Sequence, residues 1–396
     1  MAKKLRTLYQ SPRDPHFVQN PFAFYKKVQL AGKTVRWDEY DLIVTSDYMA
    51  VNYILRNSEF VREPPSGFVS GLPQNLLPFY ENESRSILER EPPYHTRIKS
   101  ILAPFFTKKK LTQVRIEMET LCDDILETIT CSKFDLISNF SQKFPVIIIA
   151  RILGVPELMT TQLVNWSTDM VAMYQARRNE EIEKKAVAAT TEFSSYIKSL
   201  IQEKKRSPSE DLISYLADIG TTANLINEDE IVSTVILLLN AGHEATVHTI
   251  SNGLKTVLES RFELIDLIKI PARLSNEILR FATPLHLFTR YFTKEATLFG
   301  HQFAPGDKIG LLLAAANRDP DHFKKPEEFD PFIDRKTNVS LGAGLHFCLG
   351  AHLARIELEI ALVALIKKFP KMQISKAPSY QDNYHFYGLK ELLIKT

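Results

Sequence analysis

A long apolar stretch that begins at Asn227 constrains the fold more than any other part of the chain. Asn227 precedes three acidic residues, an order typical of a helix N-terminus because the side-chain cap and the helix dipole both favour it. The helical pattern extends to about Leu258, and roughly thirty residues of helix would cross the interior of a domain. Its middle, Ala241-Gly242-His243-Glu244-Ala245-Thr246, holds a glycine and a carboxylate, which both cost free energy in a buried helix. We therefore expect a functional interruption there.

The remaining periodicity also favours helices over strands. Apolar residues recur at three-to-four spacing in the segments Val114–Ile129, Glu192–Gln202 and Leu353–Lys367. No linker, repeat or low-complexity tract divides the chain, and its glycines and prolines are evenly spread. We predict one domain over residues 1–396, mainly α with small β-sheets.

Short strand-like stretches predict two hairpins. Thr34–Trp37 and Leu42–Thr45 flank a polar turn and form the first pair. Thr297–Phe299 and Lys308–Leu313 flank Ala304-Pro305-Gly306-Asp307, whose proline and glycine are strong turn residues. The two strands of each pair are therefore expected to lie side by side.

Composition excludes several classes of protein. Lys+Arg and Asp+Glu number 49 and 47, so the chain lacks the basic charge of a nucleic-acid binder. Its three cysteines are too few and too scattered for a secreted disulfide framework. No apolar run approaches the roughly 20 residues of a membrane span. We expect a soluble, cytoplasmic, monomeric protein that binds neither nucleic acid nor membrane.

The strongest local motif surrounds one cysteine, in the loop Gly342-Ala343-Gly344-Leu345-His346-Phe347-Cys348-Leu349-Gly350. Glycines allow positive φ and a close approach of the backbone to a bulky planar group. Cys348 stands just before the helical run Leu353–Lys367, where backbone N–H groups and the helix dipole favour a thiolate. Cys122 and Cys131 lack such surroundings, and we interpret both as inert.

Two metal-site interpretations fit these residues less well. His346, Cys348 and His352 supply three zinc ligands, but no second cluster supplies a fourth. His243-Glu244 resembles part of a zinc protease motif, yet the next histidine is His248. Five residues of helix turn His248 about 140° away from His243, off the shared face that the motif needs.

Together, the long helix, Glu277-x-x-Arg280 and the cysteine loop resemble the cytochrome P450 superfamily, the heme-thiolate monooxygenases. Their order and spacing match, with 68 residues between Arg280 and Cys348. Further similar segments are Asn20-Pro21-Phe22, Pro93-x-His95-Thr96-Arg97 and Ala315-Ala316-Asn317-Arg318-Asp319-Pro320. The resemblance covers nearly the whole chain and implies a P450 fold with a long central distal helix.

The resemblance implies a heme b cofactor (iron protoporphyrin IX) and assigns residues to it. Cys348 corresponds to the thiolate ligand of the iron, the only metal ligand expected from the protein. The other expected cofactor-binding residues are His95, Lys99, Arg290, His346, Gly342, Gly344 and Gly350. Lys99 stands where the family usually has arginine, which replaces a bidentate fork with a point charge.

The resemblance also implies catalytic and structural roles. Glu244, Ala245 and Thr246 correspond to the distal catalytic segment, where the family usually places threonine directly after the acid. Thr246 is one residue late, about 100° around the helix, so we expect proton delivery to depend on ordered water, on Glu244 or on a substrate hydroxyl. Glu277 and Arg280 correspond to a structural ion pair, which Arg335 completes only if the local chain is shifted.

By the same resemblance, the substrate pocket is expected to draw on Asn240, Leu285, His286, Phe288 and Phe386. These residues favour a largely apolar organic substrate, into which one oxygen atom of O2 is inserted. The chain ends soon after Cys348, so we expect electrons from a separate ferredoxin or flavodoxin with its reductase. Two alternatives remain: a heme-thiolate enzyme that uses peroxide or catalyses dehydration or rearrangement, and a heme-binding protein without enzyme activity.

Overall fold

The computed structural model describes residues 5–67 and 71–396. The α-helices in these ranges are α1 (Pro15–Gln19), α2 (Phe22–Ala31), α3 (Tyr48–Arg56), α4 (Leu77–Glu83), α5 (Tyr94–Leu102), α6 (Lys108–Glu127), α7 (Lys143–Leu153), α8 (Thr160–Val171), α9 (Glu180–Arg206), α10 (Leu212–Thr222), α11 (Glu228–Leu258), α12 (Leu264–Leu267), α13 (Pro271–Phe281), α14 (Leu313–Ala316) and α15 (Ala351–Lys368). The strands are β1 (Arg6–Leu8), β2 (Val35–Trp37), β3 (Leu42–Thr45), β4 (Phe60–Val61), β5 (Lys133–Asp135), β6 (Leu287–Phe292), β7 (Ala296–Leu298), β8 (His301–Phe303), β9 (Lys308–Leu312), β10 (Gln373–Ile374) and β11 (Leu393–Lys395). The expected mainly helical fold with small sheets is confirmed.

The strands form three small sheets. The largest has the order β1-β2-β3-β9-β6-β4, in which β1 pairs with β2 and β3 with β9 in parallel, and the other pairs are antiparallel. A second sheet has the order β10-β11-β5, and β7 pairs with β8 alone. Strand pairs such as β3 with β9 therefore connect segments that are far apart in the sequence.

The first predicted hairpin is confirmed, because β2 and β3 pair antiparallel across Asp38–Asp41. The second prediction is wrong in its pairing: β7 pairs with β8, whereas β9 pairs with β6 and β3. Phe299 and Gly300 both have positive φ, which is the backbone of a two-residue hairpin turn. This tight turn returns the chain before the Pro305-Gly306 turn, which instead leads from β8 into β9.

The long helix α11 is confirmed and is capped as its sequence predicts. The Asn227 side chain accepts from the Glu230 N–H at 2.9 Å, and the Glu230 carboxylate accepts from the Asn227 N–H at 3.0 Å. The expected interruption is absent, since the helix continues through Gly242. A Cβ on Gly242 would lie 3.0 Å from the Ile149 side chain, so this glycine instead lets α7 pack closely.

The helical core surrounds α11. Helices α7, α8, α9, α10, α13 and α15 all pack against it, and their apolar side chains belong to one large buried cluster. The predicted helical segments Glu192–Gln202 and Leu353–Lys367 are confirmed as parts of α9 and α15, and Val114–Ile129 is confirmed as far as Glu127, where α6 ends. Within the described ranges, every helix is too short or too polar to cross a bilayer. α11 thus lies inside the helical core.

Candidate active site

The cysteine loop is a tight turn built on two glycines. Gly342 and Gly344 have φ of 70° and 69°, and the Cys348 N–H donates to the Leu341 carbonyl at 3.0 Å to close the loop. A Cβ on Gly344 would lie 2.3 Å from the Leu55 carbonyl oxygen of α3. Both backbone conformation and close packing therefore require glycine at position 344.

Cys348 lies where local dipoles and charges favour its thiolate. Helix α15 begins just beyond it, with Gly350 as the N-cap residue at φ −82°. Burial raises the pKa of the Cys348 thiol, whereas the Gly350 N–H and the charges of Arg355 and Lys99 act in the opposite direction. By contrast, burial raises the pKa of Cys122 to about 12, as expected for an inert thiol.

Two histidines predicted to bind a cofactor lie side by side next to this loop. The ring centroids of His95, on α5, and His346 are 4.6 Å apart. His346 Nε2 lies 3.0 Å from a carboxylate oxygen of Glu91, whereas His95 Nδ1 is buried without a hydrogen-bond partner. Burial lowers the pKa of His95 to about 4. Of this histidine pair, His95 therefore has a ring nitrogen, Nδ1, that accepts or donates no hydrogen bond within the described residues.

Arg290, on β6, is a buried cation. Its side chain is 2% exposed and donates to the neighbouring Thr289 carbonyl, and within residues 5–67 and 71–396 it forms no ion pair. Burial, with a smaller effect of the nearby Arg62, lowers the pKa of Arg290 to about 9. Because an unpaired buried charge is unfavourable, this location suits an anion. Lys99, in turn, donates to the Leu345 carbonyl of the cysteine loop.

One face of α11 is open in the middle of the protein. Its accessible and partly accessible residues include Leu237, Asn240, Ala241, Glu244 and Ala245, while most neighbours on the helix are buried. Their three-to-four spacing places them on one side of the helix, which therefore lines an interior space. Asn240 Oδ1 is buried there without a partner.

The acid on this face is held between two histidines. Glu244 Oε1 lies 3.3 Å from His248 Nε2, and Oε2 lies 3.6 Å from His243 Nε2. Burial alone would raise the pKa of Glu244, but His248 and, less strongly, His243 lower it below its ordinary value. The Thr246 hydroxyl donates to the Gly242 carbonyl at 3.2 Å within the helix. This hydroxyl is therefore engaged by the backbone of its own helix.

A buried charged cluster lies beside the cysteine loop. Arg280 donates to both carboxylate oxygens of Glu277 at 2.8 Å, and the Arg335 guanidinium contacts the same carboxylate. The Asp330 N–H also donates to it at 3.0 Å. The chain before Arg335 is therefore shifted as required, and all three charged side chains meet.

The expected pocket residues are only partly brought together. Leu285 and Phe386 pair through an isolated β-bridge and are both half-buried. Phe288 packs in the core cluster beside Gly342. The expectation for His286 needs correction, because its ring is fully buried and its Nδ1 lies 2.7 Å from the Tyr25 hydroxyl. Four aromatic rings surround it, so His286 is a core residue, and its Nε2 has no hydrogen-bond partner in the described ranges.

Comparison with known proteins decides the family. The sequence profile described as "Cytochrome P450" matches residues 16–261 and 267–388. The chain belongs to the cytochrome P450 family. This P450 is therefore an oxidoreductase of the monooxygenase class, which implies a heme cofactor, O2, a redox partner and an organic substrate. In the described ranges, no group of three His, Cys, Asp or Glu side chains is arranged to hold a metal ion, so neither zinc interpretation gains support.

Two curated relatives of this chain come from Bacillus subtilis (strain 168). It is 33% identical over 337 residues to the "Putative cytochrome P450 YjiB" of Bacillus subtilis (strain 168), covering 83% of each chain. It is 28% identical over 397 residues to the "Biotin biosynthesis cytochrome P450" of the same strain, covering 98% of each. Among solved structures, P450BioI in complex with an acyl carrier protein carrying hexadec-9Z-enoic acid superposes with a TM-score of 0.91 at 27% identity, covering 96% of this chain and 99% of that one. The expected P450 fold is confirmed.

Sequence reasoning missed two side chains of this P450 site. Glu91 holds His346 from the segment before α5, and no sequence pattern links the two positions. His248 was considered only as a zinc ligand, although its spacing of four from Glu244 puts both on one helix face. That spacing was the signal that would have identified it.

Proposed function

We propose that this P450 binds heme b through the thiolate of Cys348 and inserts one oxygen atom of O2 into a largely apolar organic substrate. Two observations together carry the proposal: a half-buried cysteine lies at a helix start, and the buried guanidinium of Arg290 forms no ion pair in the described ranges. A porphyrin with an iron centre and two carboxylates has the complementary groups. When bound, the heme supplies O2 activation, and a thiolate ligand donates electron density that favours O–O cleavage.

The chain has residues that suit both the iron and the carboxylates of a heme. Iron coordination would offset the cost of holding Cys348 as a thiolate, which is the form that burial disfavours. Arg290, with His95 and His346, would hold the heme carboxylates through charge-assisted hydrogen bonds. Lys99 would orient the loop through the Leu345 carbonyl, and the conformations of Gly342 and Gly344 keep side chains out of the loop interior. Gly350 adds space, since a Cβ there would meet nothing within 4 Å.

The accessible face of α11 would form the distal side. Ala241 and Ala245 leave room there, Glu244 holds a carboxylate close to it, and bound substrate would exclude water. Thr246 supplies no hydroxyl to this face. Leu285, Phe288 and Phe386 contribute apolar surface, and Asn240 Oδ1 offers one acceptor to a substrate donor.

The ligands of solved relatives support an apolar substrate. Three of these relatives are complexes, with hexadec-9Z-enoic acid on an acyl carrier protein, with myristic acid and with testosterone. We propose that a ferredoxin or flavodoxin with its reductase supplies electrons. The exposed Lys108–Lys110 at the start of α6 offer positive charge for docking. We also propose that the protein is a single domain, 1–396, that works as a monomer in the cytoplasm.

The test compares two oxidant supplies. Heme-loaded protein is incubated with myristic acid or testosterone, first with O2, NADPH and a ferredoxin–reductase pair, and then with hydrogen peroxide alone. We expect oxygenated product in the first condition, with one atom of ¹⁸O2 in the product. Product formed only with peroxide would instead support the peroxide-using alternative.

A further inference from the structure

A ridge of polar side chains runs along one side of α11. Asn240, Glu244, His248, Asn252 and Thr256 recur at every fourth position. Residues four apart are neighbours on a helix surface, offset by about 40° around the axis at each step. The ridge therefore winds from the interior face of α11, at Asn240 and Glu244, toward its C-terminal end.

Most members of this ridge have hydrogen-bonding capacity that no group within residues 5–67 and 71–396 uses. Asn240 Oδ1, Asn252 Oδ1 and both ring nitrogens of His248 are buried without a hydrogen-bond partner. The 3.3 Å contact of His248 Nε2 with Glu244 is a close charge contact that lacks hydrogen-bond alignment. Such buried atoms are normally satisfied by ordered water or by transient partners. A row of them along one helix is typical of a hydrated path.

Gly388 makes room for the histidine in this row. A Cβ on Gly388 would lie 1.9 Å from His248 Nδ1, so any larger residue would displace the ring. Nε2 faces Glu244, and Nδ1 faces the backbone at Gly388. The two ring nitrogens therefore point to opposite sides, as a group that accepts a proton at one nitrogen and releases one from the other requires.

The far end of the ridge reaches the surface. A cleft of about 590 Å³, open to solvent, is lined in part by Asn252, Lys255, Thr256 and Tyr387. The Asn252 amide donates to the Tyr387 carbonyl at 2.7 Å, next to Gly388. One helical turn thus separates the solvent-filled cleft from His248, and one more turn separates His248 from Glu244.

We propose that His248 relays protons from this cleft to Glu244, a positioning role that rests on the proposed monooxygenase function. A proton enters at Nδ1 from water held beside Asn252, and the Nε2 proton passes to the Glu244 carboxylate. The imidazolium becomes neutral imidazole, the carboxylate becomes a carboxylic acid, and Glu244 then delivers the proton to the interior face. This route replaces the hydroxyl that Ala245 lacks and that Thr246 donates to the backbone of its own helix.

The groups that act on Glu244 fit such a relay. Its carboxylate is influenced by His248 and His243, both on α11. On the cleft side, Lys255 is paired with Glu259 at 2.6 Å, and Tyr387 donates its hydroxyl to the Gln19 carbonyl. Neither side chain competes for His248, so the histidine is the titratable group between cleft and acid.

The test measures proton-dependent and proton-independent steps separately in the holoenzyme. His248→Gln and His248→Phe are compared with Ser251→Ala, whose buried hydroxyl donates within the helix to Val247 at 2.8 Å and lies off the ridge. With NADPH, a ferredoxin–reductase pair and myristic acid as probe, we expect His248 variants to turn over about tenfold more slowly. Their solvent deuterium isotope effect and their release of hydrogen peroxide should rise, while the first electron transfer, followed by carbon monoxide trapping, stays unchanged.

Two further measurements guard against misfolding and test the contact without turnover. Gly388→Ala, which keeps the histidine but displaces its ring, should reproduce the His248→Phe effect. In ¹⁵N-histidine NMR of the heme-free protein, Glu244→Gln should shift the His248 ring signals and Ser251→Ala should not. Turnover and isotope effects within twofold of wild type in both His248 variants, with a normal carbon monoxide spectrum, would overturn the relay alone. A wild-type protein without that spectrum would instead overturn the proposed function.

Discussion

Removing the charge of Glu277 is expected to unfold much of the protein at temperatures where the wild type is stable. In Glu277→Gln, the side chain keeps its shape but no longer balances Arg280 and Arg335. Their side chains are 1% and 3% exposed, so neither guanidinium gains water in compensation. The Asp330 N–H also exchanges a charged acceptor for a neutral one.

The size of the effect follows from this burial. Breaking a buried ion pair by removing one partner costs about 3–5 kcal/mol, because the remaining charge is left without compensation. Here two cations lose the same partner, so we expect at least about 4 kcal/mol out of a typical total of roughly 5–15 kcal/mol. Heme-free protein should then be largely unfolded in mild urea.

Urea unfolding followed by circular dichroism measures this difference. The matched control is Glu119→Gln, which breaks an ion pair with Arg115 whose side chains are 48% and 38% exposed. That pair is exposed to solvent, and its loss should change the free energy of unfolding by less than about 0.5 kcal/mol. If Glu277→Gln lowers stability by no more than the control does, the buried charges do not depend on Glu277 as argued here.

Three further outcomes are expected from single positions. Gly344→Ala should abolish heme uptake and lower the midpoint of thermal unfolding, because its Cβ would lie 2.3 Å from the Leu55 carbonyl oxygen. Gly350→Ala is the control and should leave the midpoint unchanged. Thermal melts compare the two variants. Burial lowers the pKa of His286 from 6.5 to about 3, so the unfolded state binds more protons than the folded state between these pH values. The free energy of unfolding should therefore keep its full contribution from His286 above pH 6.5. Below pH 6.5 it should fall by about 1.4 kcal/mol per pH unit. Urea midpoints at pH 7 and 5 test this, with His286→Phe expected to show a shallower dependence. Binding of diamagnetic zinc protoporphyrin should raise the pKa of His95 from about 4, because a porphyrin carboxylate would then face its Nδ1. NMR titration of the histidines with and without the porphyrin measures this change. Coinciding titration curves would show that no carboxylate binds at His95.

Local chemistry made the long helix and the cysteine loop predictable. The cap at Asn227, the acidic first turn and the apolar period all act within a few residues, so α11 follows from sequence alone. The glycines at 342 and 344 likewise take the positive φ for which glycine is suited. The predicted interruption failed because Gly242 serves packing against Ile149, a contact between helices that no local pattern specifies.

Features that depend on distant residues escaped prediction. His286 is turned into the core by Tyr25, 261 positions away, and by rings from the C-terminal segment. The strand pairing of the second hairpin was predicted wrongly because Pro305-Gly306 is the stronger turn signal in the sequence, whereas the chain makes its hairpin turn at Phe299-Gly300. Arg335 reaches Glu277 through a local path of the chain that spacing alone does not determine.

The most direct test of the central claim is the absorption spectrum of the reduced, carbon monoxide-bound protein after heme loading. A bond between Cys348 and iron predicts a strongly red-shifted Soret band, which should be lost in Cys348→Ser and retained in the control Cys122→Ser. A protein that takes up no heme, or a Cys348→Ser variant that keeps the wild-type band, would contradict the account.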